Sequence, residues 1–309
     1  MVRLYKTGLI FVIVIPVIAL LYVITAGLLF HWPAVSVTAI VMFFLFYVMS
    51  SLGISGGFHR LATHQAFETK PWIRLMLWIM GNFAWEGGVI RWSSVHAKHH
   101  KYSDEENDPH SPLDGFVHAH FGWILDRVEA KPETYAKHLL KDPIARYADR
   151  TFILWSIVSI LAPAWICGIV GFVYGGLHGF LIELFVGSLW AIIRIGYVHH
   201  ITWSVNSYSH LFGKREFETN DNSHNSWWVG TFAGGEHHNN HHALPNTVNH
   251  GIYWWQIDFV YYFVCLLERL GFAWNLKRFT PERVKERKEF WKNWQEKQLV
   301  KKTTIELYS

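Results

Sequence analysis

The chain has 309 residues, of which 51% are hydrophobic and 17% are aromatic. Its 28 Lys and Arg against 24 Asp and Glu give a net charge of +4, and this modest balance, without a nucleic-acid-binding motif, argues against a nucleic-acid partner. Its two cysteines, Cys167 and Cys265, lie in apolar segments and are too few for a disulfide framework or a zinc ribbon.

Four apolar stretches predict membrane-spanning helices, because about 20 helical residues cross a hydrocarbon core of about 30 Å. They occupy residues 9–30, 34–52, 152–173 and 177–200. The first is too long for a signal peptide, and no small-residue cleavage site follows it. The short connections His31–Pro33 and Tyr174–Gly176 join the stretches into two hairpins.

The basic residues predict the orientation of these hairpins. Neither short connection contains Lys or Arg, and Arg194 is the exception inside a span. The positive-inside rule therefore predicts that both termini and the long middle segment are cytoplasmic. The expected architecture is an all-α membrane protein with a single domain, residues 1–309, whose helical cytosolic cap comes from 53–151 and 201–309. The stretch 72–83 is too short to span and is expected to be interfacial or re-entrant.

Histidine is the unusual residue, with 20 copies, and the histidine clusters lie on the predicted cytoplasmic side. The clusters are "HRLATH" with His59 and His64, "HAKHH" with His96, His99 and His100, "HNNHH" with His238, His241 and His242, and His210 at the end of "NSYSH". Burying so many imidazoles is costly unless they bind something. The isolated histidines are expected to be packing residues: His31, His118, His138, His178, His199 and His200.

The spacing of the boxes suits more than one metal ion. On a helix, residues three and four apart share a face, whereas adjacent residues diverge by about 100°. One H-x-x-H-H box can therefore supply two metals, and two facing boxes can hold a dinuclear site. His59 and His64 are five apart, point in different directions and could also serve two centres. Imidazole suits Fe, Zn, Cu and Ni, so the ligand type alone does not select the metal.

The order of these boxes resembles the integral-membrane fatty-acid desaturases, and within them the stearoyl-CoA or delta-9 branch. The matching stretches are "GFHRLATHQAF", "HAKHHKYSDEENDPHSP", "HAHFGWIL", "TWSVNSYSHLFG" and "GGEHHNNHHALP", which together span residues 57–245. The resemblance implies four transmembrane helices and a cytosolic cap over a di-iron centre, with O2 as co-substrate.

The resemblance also implies a set of metal ligands. They fall on His59, His64, His96, His99, His100, His210, His238, His241 and His242, with Asn206 reaching one iron through water. Because metal-bound histidines donate their outer N–H to an acceptor, Asp108, Glu236 and Asn239 are expected around the ligands. Asp104, Glu105 and Asn240 are further acceptors nearby in the sequence, and His237 is expected in the surroundings or at the surface.

The implied reaction places a cis double bond in a saturated acyl chain, with reduction of O2 to water. No side chain beyond the metal site is expected to be catalytic, because a protein acid or base does not attack an unactivated C–H bond. Trp85, Trp92, Trp227 and Trp228 are candidate walls of an acyl tunnel. Besides the acyl substrate and membrane lipid, a separate electron donor of the ferredoxin or cytochrome b5 type is expected, and the basic tail from Lys277 is a candidate surface for it.

Two alternatives stay open from the residues. A di-iron hydroxylase would insert oxygen with related boxes, and a metal transporter would also bind ions, although transport sites normally lie within the spans.

The identity of the acyl carrier is open as well. Acyl-CoA desaturases have an Arg-Asp pair where this chain has Ser94 and Val95, and a basic residue where it has Asp114. These changes remove charge complementary to coenzyme A, so the hypothesis is a lipid-bound or carrier-bound acyl chain, with acyl-CoA still possible.

Overall fold

The computed structural model describes residues 13–30, 35–126 and 129–308, and these ranges are mostly helical. The predicted connection His31–Pro33 and the start of the first predicted span, residues 9–12, lie outside them. The helices are α1 (Ile15–Phe30), α2 (Val37–Ser51), α3 (Pro71–Asn82), α4 (Val89–Tyr102), α5 (Phe116–His120), α6 (Pro132–Tyr135), α7 (Lys137–Lys141), α8 (Pro143–Arg150), α9 (Phe152–Asn206), α10 (Trp227–Phe232), α11 (His238–Ala243), α12 (Phe259–Arg269) and α13 (Pro281–Tyr308).

Helices α1, α2 and α9 form the apolar bundle. Two continuous stretches, Val37–Thr63 and Phe152–His210, are long and apolar enough to cross a membrane, and the apolar part of α1, Ile15–Leu28, is shorter. Large apolar side chains point outward along these helices, for example Leu28 and Val173, each 73% exposed. An outward apolar surface of this kind is typical of helices surrounded by lipid rather than by water.

Helix α9 is a helical hairpin rather than one straight rod. Its backbone leaves the helical conformation at Gly175 and at Gly176, whose φ is +58°, a value that glycine adopts without steric strain. The two arms then pack so closely that a Cβ on Gly171 would lie 2.3 Å from the carbonyl oxygen of Gly179. The predicted spans 152–173 and 177–200 are therefore the two arms of α9.

Helix α2 continues into a π-helical segment, Leu52–Thr63, which is buried along almost its whole length. Helix α3 packs across this segment, where a Cβ on Gly53 would lie 2.0 Å from the backbone nitrogen of Gly81. Glycine is needed here because the two backbones approach each other without room for a side chain. The stretch 72–83, expected to be interfacial or re-entrant, thus lies almost entirely in α3, which covers the segment that carries the first histidines.

Helix α12 and a two-stranded sheet pack next to the π-helical segment. Helix α12 packs on the segment, where a Cβ on Gly56 would lie 3.2 Å from a methyl group of Val260. Strands β1 (Glu68–Thr69) and β2 (Ala273–Trp274) pair antiparallel and join the chain after this segment to the chain after α12. Short 3-10 turns occur at Pro112–Asp114, Gly122–Ile124 and Tyr208–His210.

Candidate metal centre

Nine buried or half-buried histidines converge from four parts of the chain. His59 lies in the π-helical segment, and His64 follows its end. Helix α4 carries His96, His99 and His100, α11 carries His238, His241 and His242, and the 3-10 turn after α9 carries His210. These are the nine positions expected from the resemblance. Their ligand nitrogens form two groups, one of five histidines and one of four.

The first group, called here the five-histidine centre, contains His59, His64, His96, His100 and His241. Their Nε2 atoms face one another at short range. The Nε2–Nε2 distances are 3.1 Å for His59 and His241, 3.0 Å for His64 and His96, 3.0 Å for His96 and His100, and 2.8 Å for His100 and His241.

The second group, called here the four-histidine centre, contains His99, His210, His238 and His242. Nε2 of His210 lies 2.8 Å from Nε2 of His238, and Nε2 of His99 lies 3.4 Å from Nε2 of His242. All four side chains are at most 8% exposed. Each H-x-x-H-H box therefore contributes to both centres. In the "HAKHH" box, His96 and His100 join the five-histidine centre and His99 joins the four-histidine centre. In the "HNNHH" box, His238 and His242 join the four-histidine centre and His241 joins the five-histidine centre.

His59 and His64 depart from the sequence expectation, which placed them in different directions. The structure brings both into the five-histidine centre. The reason is the π-helical backbone, in which the N–H of His64 donates to the carbonyl oxygen of His59 at 3.0 Å, an i to i+5 bond. Residues five apart then share a face, which ordinary helical spacing does not allow.

The distances within both centres fit ligands around a common ion. Two nitrogens at about 2.0–2.1 Å from one ion, separated by about 90–110°, lie about 2.8–3.4 Å apart. The positions of the outer carboxylates support the same conclusion. The outer nitrogens of His99 and His242 face carboxylates, which leaves their inner Nε2 atoms, 3.4 Å apart, to bind one cation. The residues present therefore fit a metal ion in each centre.

The outer carboxylates complete this arrangement. Nδ1 of His99 donates to Asp108 at 2.9 Å, and Nδ1 of His59 donates to Glu236 at 3.0 Å, so two of the three predicted outer residues contact ligands. The third, Asn239, is different. Its Oδ1 accepts from the backbone N–H of Phe217 at 2.8 Å, and its amide holds the 216–223 loop. The side chain of Asn239 therefore bonds to the 216–223 loop rather than to a ligand.

Two further carboxylates join the four-histidine centre from other loops. Asp104 accepts from Nδ1 of His210 at 3.0 Å, and Asp221 accepts from Nδ1 of His242 at 2.8 Å. Asp104 was one of several acceptors near the second box, but nothing in the sequence singled out Asp221. Its position 21 residues before His242 carries no periodic signal, and only the folding of the 216–223 loop brings it to the ligand.

Three other histidines surround the centres. His250 donates from Nδ1 to Glu236 at 2.9 Å, and its ring centroid lies 4.6 Å from that of His241. The ring of His110 lies 4.3 Å from that of His99. His237, expected in the surroundings of the box or at the surface, is buried, with Nε2 3.3 Å from the carbonyl oxygen of Ile257. His250 and His110 were not among the predicted site residues, because neither belongs to a box.

Burial keeps most of these imidazoles in the neutral form that binds metal, although at His99 the facing Asp108 outweighs burial and raises the pKa of the ring. Desolvation, with added repulsion from neighbouring imidazoles, lowers the pKa of His96, His100, His238 and His241 well below the usual 6.5. These rings are therefore neutral, as metal ligation requires. Burial alone would raise the pKa of Asp221, but the facing His242 outweighs it and holds that pKa far below its usual value.

The predicted tunnel residues are scattered. Trp92 stacks on His96 with ring centroids 5.0 Å apart, and Trp228 packs on Tyr208 at 5.1 Å. Trp85 donates from Nε1 to the carbonyl oxygen of Ser156 in α9. Trp227 is 71% exposed at the start of α10, so it does not form the wall of a buried tunnel.

A small cavity lies elsewhere, between the end of α2, α9 and α10, and none of these four tryptophans lines it. Its lining residues are Tyr47, Ser50, Ser51, Ile54, Ser55, Val198, Ile201, Thr202, Phe232 and Ala233. Ser55 connects it to the five-histidine centre, because its hydroxyl donates to Glu236 at 2.5 Å and Glu236 accepts from His59.

Asn206 is half-buried and ends α9 one turn before His210. Its water-mediated contact with one iron stays a prediction.

Comparisons with known proteins agree with the motifs. The sequence model of the fatty acid desaturase family matches residues 30–264. The chain is 36% identical to the sn-1 stearoyl-lipid 9-desaturase of Anabaena variabilis, over 80% of this chain and 85% of that protein. It is 35% identical to the hex-5-enoyl-[acyl-carrier protein] acetylenase of Moorena producens (strain JHB), over 86% and 85%. It is 34% identical to the acyl-CoA C20 Delta5-desaturase of Anemone leveillei, over 82% and 77%. The chain belongs to the fatty acid desaturase family and is an oxidoreductase that desaturates fatty acyl chains.

Proposed function

We propose that this protein uses two iron ions and O2 to introduce a cis double bond, at the delta-9 position, into a saturated acyl chain. The observation that carries the proposal is the convergence of nine imidazole nitrogens into two adjacent groups, each with the spacing of metal ligands. When bound, the iron ions supply the O2-dependent oxidation that removes two hydrogens from neighbouring methylene groups.

The protein's own residues orient the metal ligands and provide the cavity for the acyl chain. The carboxylates fix the outer nitrogens of several ligands, so that the inner nitrogens point at the ion before it binds. The cavity beside Ser55 has mostly apolar and hydroxyl-bearing walls, such as Ile54 and Val198, which suits part of a hydrocarbon chain. Rigid packing around such a chain would present one C–C pair to the centres, which is how position along an acyl chain is selected.

Replacement of single ligands tests the site. We expect His99→Ala and His241→Ala, one from each centre, to abolish desaturated product and to lower bound iron. His178→Ala is the matched control, because His178 is exposed at the α9 hairpin. Iron content and the fatty-acid profile of a desaturase-deficient host are measured together. Near-normal product with both metals retained in His99→Ala and His241→Ala would refute the site.

For the acyl carrier we propose a lipid-bound or carrier-bound chain, with acyl-CoA as the alternative outcome. Ser94 is buried in α4 and Asp114 is an exposed acid, so neither position offers positive charge to coenzyme A phosphates. Relatives named for lipid, acyl-carrier-protein and CoA substrates all occur at similar identity. Labelled stearoyl-CoA and labelled phospholipid, each supplied with donor and O2, distinguish the carriers. Rapid desaturation of the CoA ester alone would refute the lipid version.

We further propose four membrane spans with both termini and the histidine centres in the cytoplasm, and a separate ferredoxin-type or cytochrome b5-type electron donor. The outward apolar surface of α1, α2 and α9 supports the spans, and the basic residues of α13 support an acidic donor.

Cysteine labelling tests the orientation of the spans. In a Cys265→Ser background, Tyr174→Cys should react with an impermeant maleimide outside intact cells. Glu106→Cys should react only after permeabilisation, and the reverse pattern would invert the topology.

A further inference from the structure

The two centres are built from the same ligand type but differ in their surroundings. In the four-histidine centre, three of the four ligands have a carboxylate on the outer nitrogen, namely Asp108 on His99, Asp104 on His210 and Asp221 on His242. The exception is His238, whose Nδ1 has no partner within the described part of the chain.

The five-histidine centre has less negative charge around it. Among the described residues, Glu236 is the carboxylate that contacts one of its ligands, through His59. That carboxylate is shared, since it also accepts from Ser55 and His250, and Arg60 lies 3.5 Å from it. The five-histidine centre therefore has one carboxylate on its ligands against three in the four-histidine centre, and a guanidinium offsets part of that single charge.

The carboxylates of the four-histidine centre are also fixed in place before any ion binds. Asp108 accepts from the backbone N–H of Asp104 at 2.9 Å and of His110 at 3.2 Å. Asp221 accepts from the backbone N–H of Ser223 at 2.9 Å. Asp104 accepts from the backbone N–H of Asn222 at 2.5 Å. The loops therefore place three negative charges at defined positions around one centre.

We infer that the two centres bind metal unequally, and that the four-histidine centre takes a divalent ion first and more tightly. Three carboxylates offset the charge of an ion buried among neutral imidazoles, and they raise the basicity of the ligands that they contact. Asp104, Asp108 and Asp221 are thus positioning residues for the tight site, and Glu236 serves the weaker site. This inference rests on the proposed metal-binding function and adds an order of loading to it.

Titration with Co2+ tests the order, because its visible absorption reports the ligand set of each ion. Full-length apo protein in detergent, stripped with a chelator, is titrated in competition with a chromophoric chelator. We expect two separate steps, each of one ion per chain. His210→Ala should remove the first step and His64→Ala the second, which assigns each step to a centre.

The outer carboxylates then provide a matched pair of near-isosteric variants. Asp221→Asn should weaken the first step by about 10–100-fold and leave the second unchanged, whereas Glu236→Gln should weaken only the second. Glu106→Gln, in an exposed acid of the same loop region, is the control for general loss of negative charge. A thermal transition like that of the parent apo protein shows that each variant is folded.

The outcomes separate the inference from the proposed function. Two ions binding in one step of equal affinity, or Glu236→Gln weakening the first step, would overturn the inference while the metal site stands. A folded parent protein that binds no Co2+ would overturn the metal site itself and the order of loading with it.

Discussion

In the part of the chain that the structure describes, two arginine side chains are fully buried, and the regions that enclose them neutralise them differently. Arg60, among the histidine centres, pairs with Asp258 at 2.8 Å and lies 3.5 Å from Glu236. Arg194, in the apolar bundle, donates to the carbonyl oxygen of Phe83 at 2.7 Å and to the hydroxyl of Ser50 at 2.9 Å. The positive charge of Arg60 is paired with carboxylates, whereas that of Arg194 is stabilised by carbonyl and hydroxyl dipoles.

The difference follows from what each region already contains. Around the centres, carboxylates are needed to orient imidazoles, so a guanidinium joins an existing network and links Asp258 to Glu236. In the bundle, a carboxylate would add its own desolvation cost. Arg194 instead reaches the carbonyl end of α3, where the helix dipole is negative. It thereby ties α9 to both α3 and α2, the helix that leads into the first histidines.

The largest expected effect is at Arg60. Arg60→Met leaves two buried carboxylates without their cation and should destabilise the protein by about 3–5 kcal/mol. Melting in detergent measures this loss. The double variant Arg60→Met, Asp258→Leu removes both charges of the closest pair and should lose less than the sum of the single changes. Additive losses would show that the pair is not coupled.

A smaller loss is expected at Arg194. Arg194→Met removes a charge that has no carboxylate partner among the described residues, so it leaves only two hydroxyl and two carbonyl groups without this partner. We expect a loss of about 1–3 kcal/mol, the cost of leaving such buried groups unpaired. The same melting assay compares the two arginines directly. A loss at Arg194 larger than that at Arg60 would contradict the distinction between the regions.

The smallest effect is a pH dependence at Glu86, whose carboxylate accepts from Nε1 of Trp92 at 2.9 Å. Burial raises the pKa of Glu86 from 4.5 to about 7, despite the bonds from Trp92 and Thr202. The unfolded chain therefore releases this proton first, and the contribution of Glu86 to stability falls as pH rises from about 4.5 to about 7. Glu86→Gln should flatten that part of the melting-temperature profile by a few degrees. An unchanged profile would show that Glu86 is already ionised in the fold.

Much of the site could be read from the residues. The nine histidines predicted as ligands are the nine that converge, because helical spacing within each H-x-x-H-H box is a local property that sequence preserves. The two apolar hairpin arms of α9 also followed from hydropathy and from Gly175 and Gly176. Asp108 and Glu236 were found because they lie close in sequence to the boxes that they support.

The sequence by itself determined the apolar arms of α9, the histidine boxes and the family, since these rest on contacts within a few residues or on motif order. Other features depended on the tertiary structure. The sharing of one centre by His59 and His64 required a π-helical backbone, which box spacing does not reveal. Asp221 and His250 reach the centres only through long-range packing of loops. The unequal number of carboxylates around the two centres also depends on this packing, because the effect of a carboxylate on a metal ligand depends on their separation in space and not along the chain.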